Sequence, residues 1–227
     1  MNIFDAIESW KSTRKFKPDP IDDRMIGVLL HMAINASSAG NIQCWEFVVV
    51  RDEKLKEKLA IAALHQELVK DAPVDIIVCA NLERASLKYG KRGELVYSIQ
   101  DTAAAAEIIL LTATALGLGS EWVRAFDEER VKDILLLPET VRPVGIIPIG
   151  YPLEQEKERR ISFEDITHVE NYGKKYQISF ATQPGIRDES GIKPIGNIIQ
   201  DEIKKKKPGL KEKLKISNLF RKKNEPV

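Results

Sequence analysis

Apolar positions near the start of the chain recur at helical spacing: Ile3, Phe4, Ile7 and Trp10 fall on one face of a short helix over residues 2–11. Pro18 and Pro20 then interrupt the pattern. Asp22 and Asp23 open a second helix, where their charges meet the positive end of its dipole. Met25, Ile26, Leu29, Leu30 and Ala33 give that helix a broad apolar face. Three runs are almost continuously apolar instead of alternating: 46–50, 74–80 and 144–150. They predict strands of a sheet with helices covering both faces. The spacing predicts a polar helix over 53–69 and a long Ala-rich helix over 100–116, with Gly117 where a C-terminal stop belongs. Asp127-Glu128-Glu129 opens a further helix, ended by Pro138. No period of 20–50 residues repeats.

A hydrophobic fraction of 43% in 227 residues is enough for one core domain with an extension. The net charge of +1 hides an asymmetry. Residues 203–223 hold nine Lys and one Arg against one Glu, a local +9, which leaves −8 for the rest. The compact domain is placed at 1–180 and a basic C-terminal extension at 181–227. Two cysteines, Cys44 and Cys79, make no disulfide framework. The opening Met1-Asn2-Ile3-Phe4-Asp5 carries an acid where a signal peptide is basic. Both features point to the cytoplasm. The apolar stretch 108–120 is shorter than the roughly 20 residues a bilayer requires, so it reads as a buried core helix.

Four stretches carry candidate chemistry. The first, Trp10-Lys11-Ser12-Thr13-Arg14-Lys15-Phe16, puts three cations and two hydroxyls at the exit of the first helix. Arg14 can grip a phosphate bidentately, Ser12 can donate a neutral hydrogen bond, and Lys11 offers a point charge. By itself it also reads as a solvated basic turn. In the second, residues 37–45, the small Ser38 and Ala39 let backbone N–H groups approach a flat or anionic ligand. Asn41 and Gln43 add paired donors and acceptors. The plain alternative is a helix-to-strand loop capped by Trp45. The third stretch, residues 117–124, allows close backbone approach, and Trp122 and Val123 can lie against a planar ring. It is not a dinucleotide fingerprint, because no Gly-rich turn leads from a strand into a helix. The fourth, Lys157-Glu158-Arg159-Arg160, either closes the far side of an anion site or is solvated surface. His31, His65 and His168 are scattered and read as structural, so no metal site is expected. Cys44 reads as a small buried residue.

In this order the stretches resemble the nitroreductase family of flavin enzymes over about residues 3–170. The family's Arg-x-Ser-x-Arg-x-Phe has Ser12, Arg14 and Phe16 in register, with Trp10 in place of the first Arg. Its Pro-Ser-x-x-Asn-x-Gln-Pro-Trp is met by Ser38, Asn41, Gln43 and Trp45, while Ser37 and Cys44 replace the two prolines. Gln66 ahead of Ala72-Pro73, Gly117-Leu118-Gly119 with Trp122, and Ile149-Gly150-Tyr151-Pro152 complete the likeness.

The resemblance implies an α+β fold: a central mixed or antiparallel sheet flanked by helices on both faces, in a homodimer that binds FMN at its interface. It implies that Ser12 and Arg14, supported by Lys11, hold the FMN phosphate. Arg159 or Arg160 would stand on its other side; the spacing to His168 fits Arg160, and the family's Lys-x-Arg pattern fits Arg159. Ser38, Ala39 and Asn41, with Gln43 beside them, would reach the cofactor from the partner subunit. Gln66 would meet the polar edge of the flavin. Trp122, Val123 and Arg124 would back the ring, with a backbone N–H near its reactive N5. NADH or NADPH would reduce the flavin, and a small acceptor such as a nitroaromatic or quinone would reoxidise it in a second half-reaction. No catalytic side chain beyond the flavin is needed. The Arg124 side chain either faces substrate and favours an anionic acceptor or the nicotinamide phosphates, or pairs with an acid such as Glu121. Two other classes stay open: a flavin-binding sensor or partner module with little turnover, and a binding protein whose basic tail does the work. For the tail, an extension wrapping the acidic body is preferred over a nucleic-acid or anionic-membrane contact. It holds one aromatic, Phe220, and Pro208-Gly209 interrupts any helix.

Overall fold

The computed structural model describes residues 1–156 and 159–175. Residue 1 and residues 6–160 form one compact unit, and residues 2–5 and 161–175 belong to a second. The expected boundary near residue 180 and the basic tail lie outside the described residues.

The first unit is built on six strands: β1 (Ser12–Phe16), β2 (Trp45–Val50), β3 (Val74–Asn81), β4 (Gly119–Ser120), β5 (Val141–Gly150) and β6 (Pro152–Glu156). They lie in the order β2-β3-β5-β4-β1-β6. Every pair is antiparallel except β1 with β4, so the sheet is mixed, as expected. The helices are α1 (Ile3–Ser9), α2 (Asp23–Ala33), α3 (Glu53–Ala62), α4 (Glu67–Asp71), α5 (Leu82–Arg92), α6 (Ser98–Ala115), α7 (Glu128–Leu135) and, in the second unit, α8 (Phe163–Ile166).

Alternation along β3 divides the core. Val74, Ile76 and Val78 join α2 and α6 on one face, while Ile77 and Cys79 join α3, α4 and α7 on the other. The central strands read as continuously apolar because helices cover both sides. Ile76, Ile77, Ile146 and Ile147 are fully buried, each contributing about 1.5–3 kcal/mol of transfer free energy. Asp22 caps α2 through the Arg24 N–H, Asp52 caps α3 through Leu55, and Asp127 caps α7 through Arg130. Gly117, at φ +77°, ends α6: the Leu118 N–H donates to Ala113 O and the Gly117 N–H to Thr114 O.

Several expectations need correction. The predicted helix over 53–69 is two helices with a corner at Leu64 and His65, both at positive φ. Continuation would need Ala62 O for the Gln66 N–H, but the Asp127 N–H takes that carbonyl at 2.9 Å. Lys11–Phe16 is not a turn, since Ser12–Phe16 forms β1 between β4 and β6. The helix opened by Asp127 ends at Leu136, which turns left-handed at φ +53° before Pro138 is reached. Residues 82–97, for which the pattern predicts nothing, form α5 and a π-helical turn at Gly93–Tyr97. Residues 82–115 together are long and apolar enough to cross a bilayer. However, the helix is kinked at Gly90, and α6 buries eight residues within the fold.

In the second unit, Ser162 stands at the N-cap of α8, and a bridge pairs His168 with Lys175.

Candidate active site

The site begins where β1 meets β4. Ser12 pairs in parallel with Ser120, and the chain leaving β4 crosses onto β5. Val123 exchanges two hydrogen bonds with Ile146, at 2.9 and 3.0 Å. This seats the Trp122 indole on β5 at Gly145. A Cβ at Gly145 would stand 2.3 Å from Trp122 Nε1, so only glycine leaves room for the ring.

A cavity of about 360 Å³ opens beside this crossing. Trp10, Trp122, Leu110 and Leu111 supply its apolar walls. Ser12, Arg124 and Arg160 supply donors, and Glu107 and Glu121 bring carboxylates. Each guanidinium lies over an indole: Arg124 is 5.0 Å from the Trp122 centroid, and Arg160 is 5.6 Å from that of Trp10. Glu121 Oε1 accepts the Trp122 N–H at 3.0 Å, and its Oε2 lies 3.8 Å from Arg14 Nε. The structure turns Glu121 toward Arg14 and not toward Arg124. Arg124 makes no ion pair among the described residues and stacks on Trp122 instead.

The three backbone donors expected to back a flavin are distinguishable. The Trp122 N–H goes to Glu121 and the Val123 N–H to Ile146. Only the Arg124 N–H has no protein acceptor among the described residues.

Of the expected site residues, the structure gathers Ser12, Trp122, Arg124 and Arg160 around this cavity. Arg14 stands behind it through Glu121. Lys11 and Arg159 do not line it, and Lys157 is outside the described residues. Ser38, Ala39, Asn41 and Gln43 form a separate, tightly bonded loop. The Ala39 N–H donates to both Asp101 oxygens at 3.0 and 3.2 Å, and the Gln43 N–H to Ser38 Oγ at 3.2 Å. Gln43 Nε2 donates to Asn41 Oδ1, and Arg84 reaches Gln43 O. Gln66 does not turn its amide nitrogen outward: Nε2 donates to Ala63 O at 2.8 Å and Ala125 O at 3.0 Å.

Burial disfavours ionisation of both thiols. Burial, with the Asp101 charge adding to it, pushes Cys44 up to about 11, and burial pushes Cys79 up to about 12.

The residues fit the mononucleotide the resemblance implies. Two indoles and two leucines offer flat apolar walls, Ser12 and Arg160 carry donor groups of the kind a phosphate takes, and the Arg124 N–H has no protein acceptor among the described residues. Among the lining residues Arg124 and Arg160 balance Glu107 and Glu121, and Arg14, 3.8 Å from Glu121, adds a positive charge behind them. Neither carboxylate is among the residues expected at the site, although Glu121 is named as a possible partner of Arg124. Glu107 leaves a signal, as the one charge in the apolar stretch 102–120; Glu121 does not, because its role depends on the crossing onto β5.

A sequence model of the Nitroreductase family matches residues 7–66 and 60–151. The chain is 34% identical over 176 residues to a protein of Methanothermobacter thermautotrophicus named as a candidate NADH dehydrogenase/NAD(P)H nitroreductase, covering 76% of this chain and 88% of that one. It is 30% identical over 172 residues to an NADH dehydrogenase of Thermus thermophilus, covering 64% and 84%. The crystal structure of a nitroreductase family protein from Clostridium novyi superposes with a TM-score of 0.62 at 29% identity, covering 78% of this chain and 97% of that one.

Proposed function

The chain belongs to the nitroreductase family and is an NAD(P)H-dependent oxidoreductase, and on that premise we propose that it works with FMN bound at the cavity beside β1. FMN held there would supply hydride acceptance from NADH or NADPH and electron delivery to a small organic acceptor such as a nitroaromatic or a quinone. The protein's part is binding and orientation. Ser12 and Arg160 hold the phosphate, and Arg14 supports them from behind Glu121. Trp122 forms the wall behind the ring, Val123 packs into the core on the other face of the sheet, and the Arg124 N–H is the donor offered to the ring's edge. Gln66 steadies that segment through Ala125 O.

The loop of Ser38, Ala39, Asn41 and Gln43 joins the site from a second copy of the chain. Leu87 and Leu95, 79% and 59% exposed, give the α5 region apolar surface for such a dimer. The observation that carries the reading is the convergence of Ser12, Trp122, Arg124 and Arg160, separated by up to 148 positions (160 − 12), on one cavity.

The absorbance spectrum tests it. The purified protein is expected to be yellow, to bleach anaerobically with NADH or NADPH, and to regain colour with a quinone. Colourless protein that takes up no FMN rejects the reading. Yellow protein that neither nicotinamide bleaches makes it a flavin-binding module without turnover.

A further inference from the structure

Trp10 stands where the family pattern has an arginine, and its surroundings show what it does instead. The Trp10 N–H donates to Ala6 O at 3.1 Å, closing the end of α1, and the indole packs against the core of α2 and α6. Its Nε1 is buried with no acceptor among the described residues, so the indole does not replace an arginine as a donor. What it presents to the cavity is a ring, and the guanidinium of Arg160 lies 5.6 Å from that ring's centroid.

Arg160 follows β6 outside any helix or strand. A long side chain on such a segment loses rotamers to each contact it makes, and a fixed aromatic face is one such contact. The neighbours make that orientation matter. Glu107 and Glu121 line the same cavity, and their carboxylates repel an anion unless a cation is held where the anion binds.

We propose that Trp10 is a positioning residue that holds the Arg160 guanidinium at the anion-binding end of the cavity. The chain thereby brings its phosphate-binding guanidinium from beyond β6 in place of the one that position 10 lacks. The inference rests on the FMN reading and deepens it. It assigns the role to Arg160 over Arg159, which does not line the cavity, and over Lys11 as the substitute for the missing arginine.

FMN and riboflavin differ only by the phosphate, so the ratio of their dissociation constants, measured by fluorescence titration of the flavin-stripped full chain, reports on this end alone. Wild type is expected to prefer FMN, and Arg160→Gln to lose most of that preference. Trp10→Leu keeps apolar volume but offers no ring face. It is expected to reduce the preference about five- to thirty-fold, over and above any change in riboflavin affinity from the lost wall. Trp10→Phe is expected to keep most of the preference. Trp10→Arg combined with Arg160→Gln is expected to restore it, because the guanidinium returns to position 10. An unchanged preference in Trp10→Leu overturns the proposal while leaving the FMN reading intact. If Trp10→Leu loses riboflavin as well, the double variant decides: recovery supports the proposal and failure to recover overturns it. A wild type that binds neither flavin overturns the FMN reading and the proposal with it.

Discussion

Asp75 lies in the middle of β3, fully buried, and neither carboxylate oxygen has a partner among the described residues. Burial pushes its pKa well above the ordinary carboxylate range, and the charge of Lys56 only partly opposes this. Lys56 itself gives its Nζ protons to Lys70 O and Ala72 O. The folded state therefore keeps the Asp75 proton to higher pH than the unfolded chain, whose carboxyl titrates near 3.8. This group's contribution to stability is fully present below that value and is lost as pH rises through the folded pKa. Asp75→Asn removes the titration, so its melting temperature should fall less than wild type's between about pH 4 and about pH 8; parallel profiles would refute this. The thiols give a second residue-scale outcome. Cys44 and Cys79 are un-ionised at neutral pH, so iodoacetamide should label neither in the native protein and both after unfolding. Arg124 gives a third. Its guanidinium stacks over Trp122 at the cavity without an ion pair, so Arg124→Ala should raise KM several-fold for anionic acceptors. Equal changes for charged and neutral acceptors would reject that role.

At the scale of elements, the crossing from β4 to β5 is a close fit. Gly145→Ala places a methyl against the Trp122 indole and should cost about 1–3 kcal/mol, with a shift in tryptophan emission that marks the displaced ring. An unmoved spectrum would show that the ring does not depend on Gly145. The α3–α4 corner is strained in the opposite sense. Leu64 holds φ +58° while 66% exposed. Leu64→Gly should therefore leave stability unchanged or raise it by up to about 1 kcal/mol, the relief of the left-handed backbone offsetting the entropy of glycine. β2, β3 and β5 are legible from sequence as apolar runs; burial on both faces accounts for β3 and β5, while β2 is an edge strand that leaves Val49 exposed. β1, β4 and β6 are not. β4 has two residues, and β1 has a charged middle that faces outward. Neither leaves a periodic signal; both exist through their neighbours' hydrogen bonds.

For the whole molecule, the loop of residues 38–43 and the cavity beside β1 are separate places on one chain, and the proposed function unites them across a dimer. Leu87→Asp with Leu95→Asp should convert a dimer to monomers in light scattering and release the flavin in the same step. A monomeric wild type that retains flavin would disprove the shared site.

The sequence by itself determined the family, the layered arrangement of helices on a sheet, the helix caps and the small set of residue types suited to a flavin. These are written in local patterns: apolar period, capping acids, and short motifs in a fixed order. Tertiary structure decided which members of that set meet. It brought Arg160 and not Arg159 to the cavity, put Arg124 on Trp122 and not on Glu121, and committed the amide of Gln66 to Ala63 and Ala125. The physical reason is that such contacts join residues far apart in the chain. Strand register and the packing of one indole on Gly145 set them, and neither leaves a trace in the local order of residues.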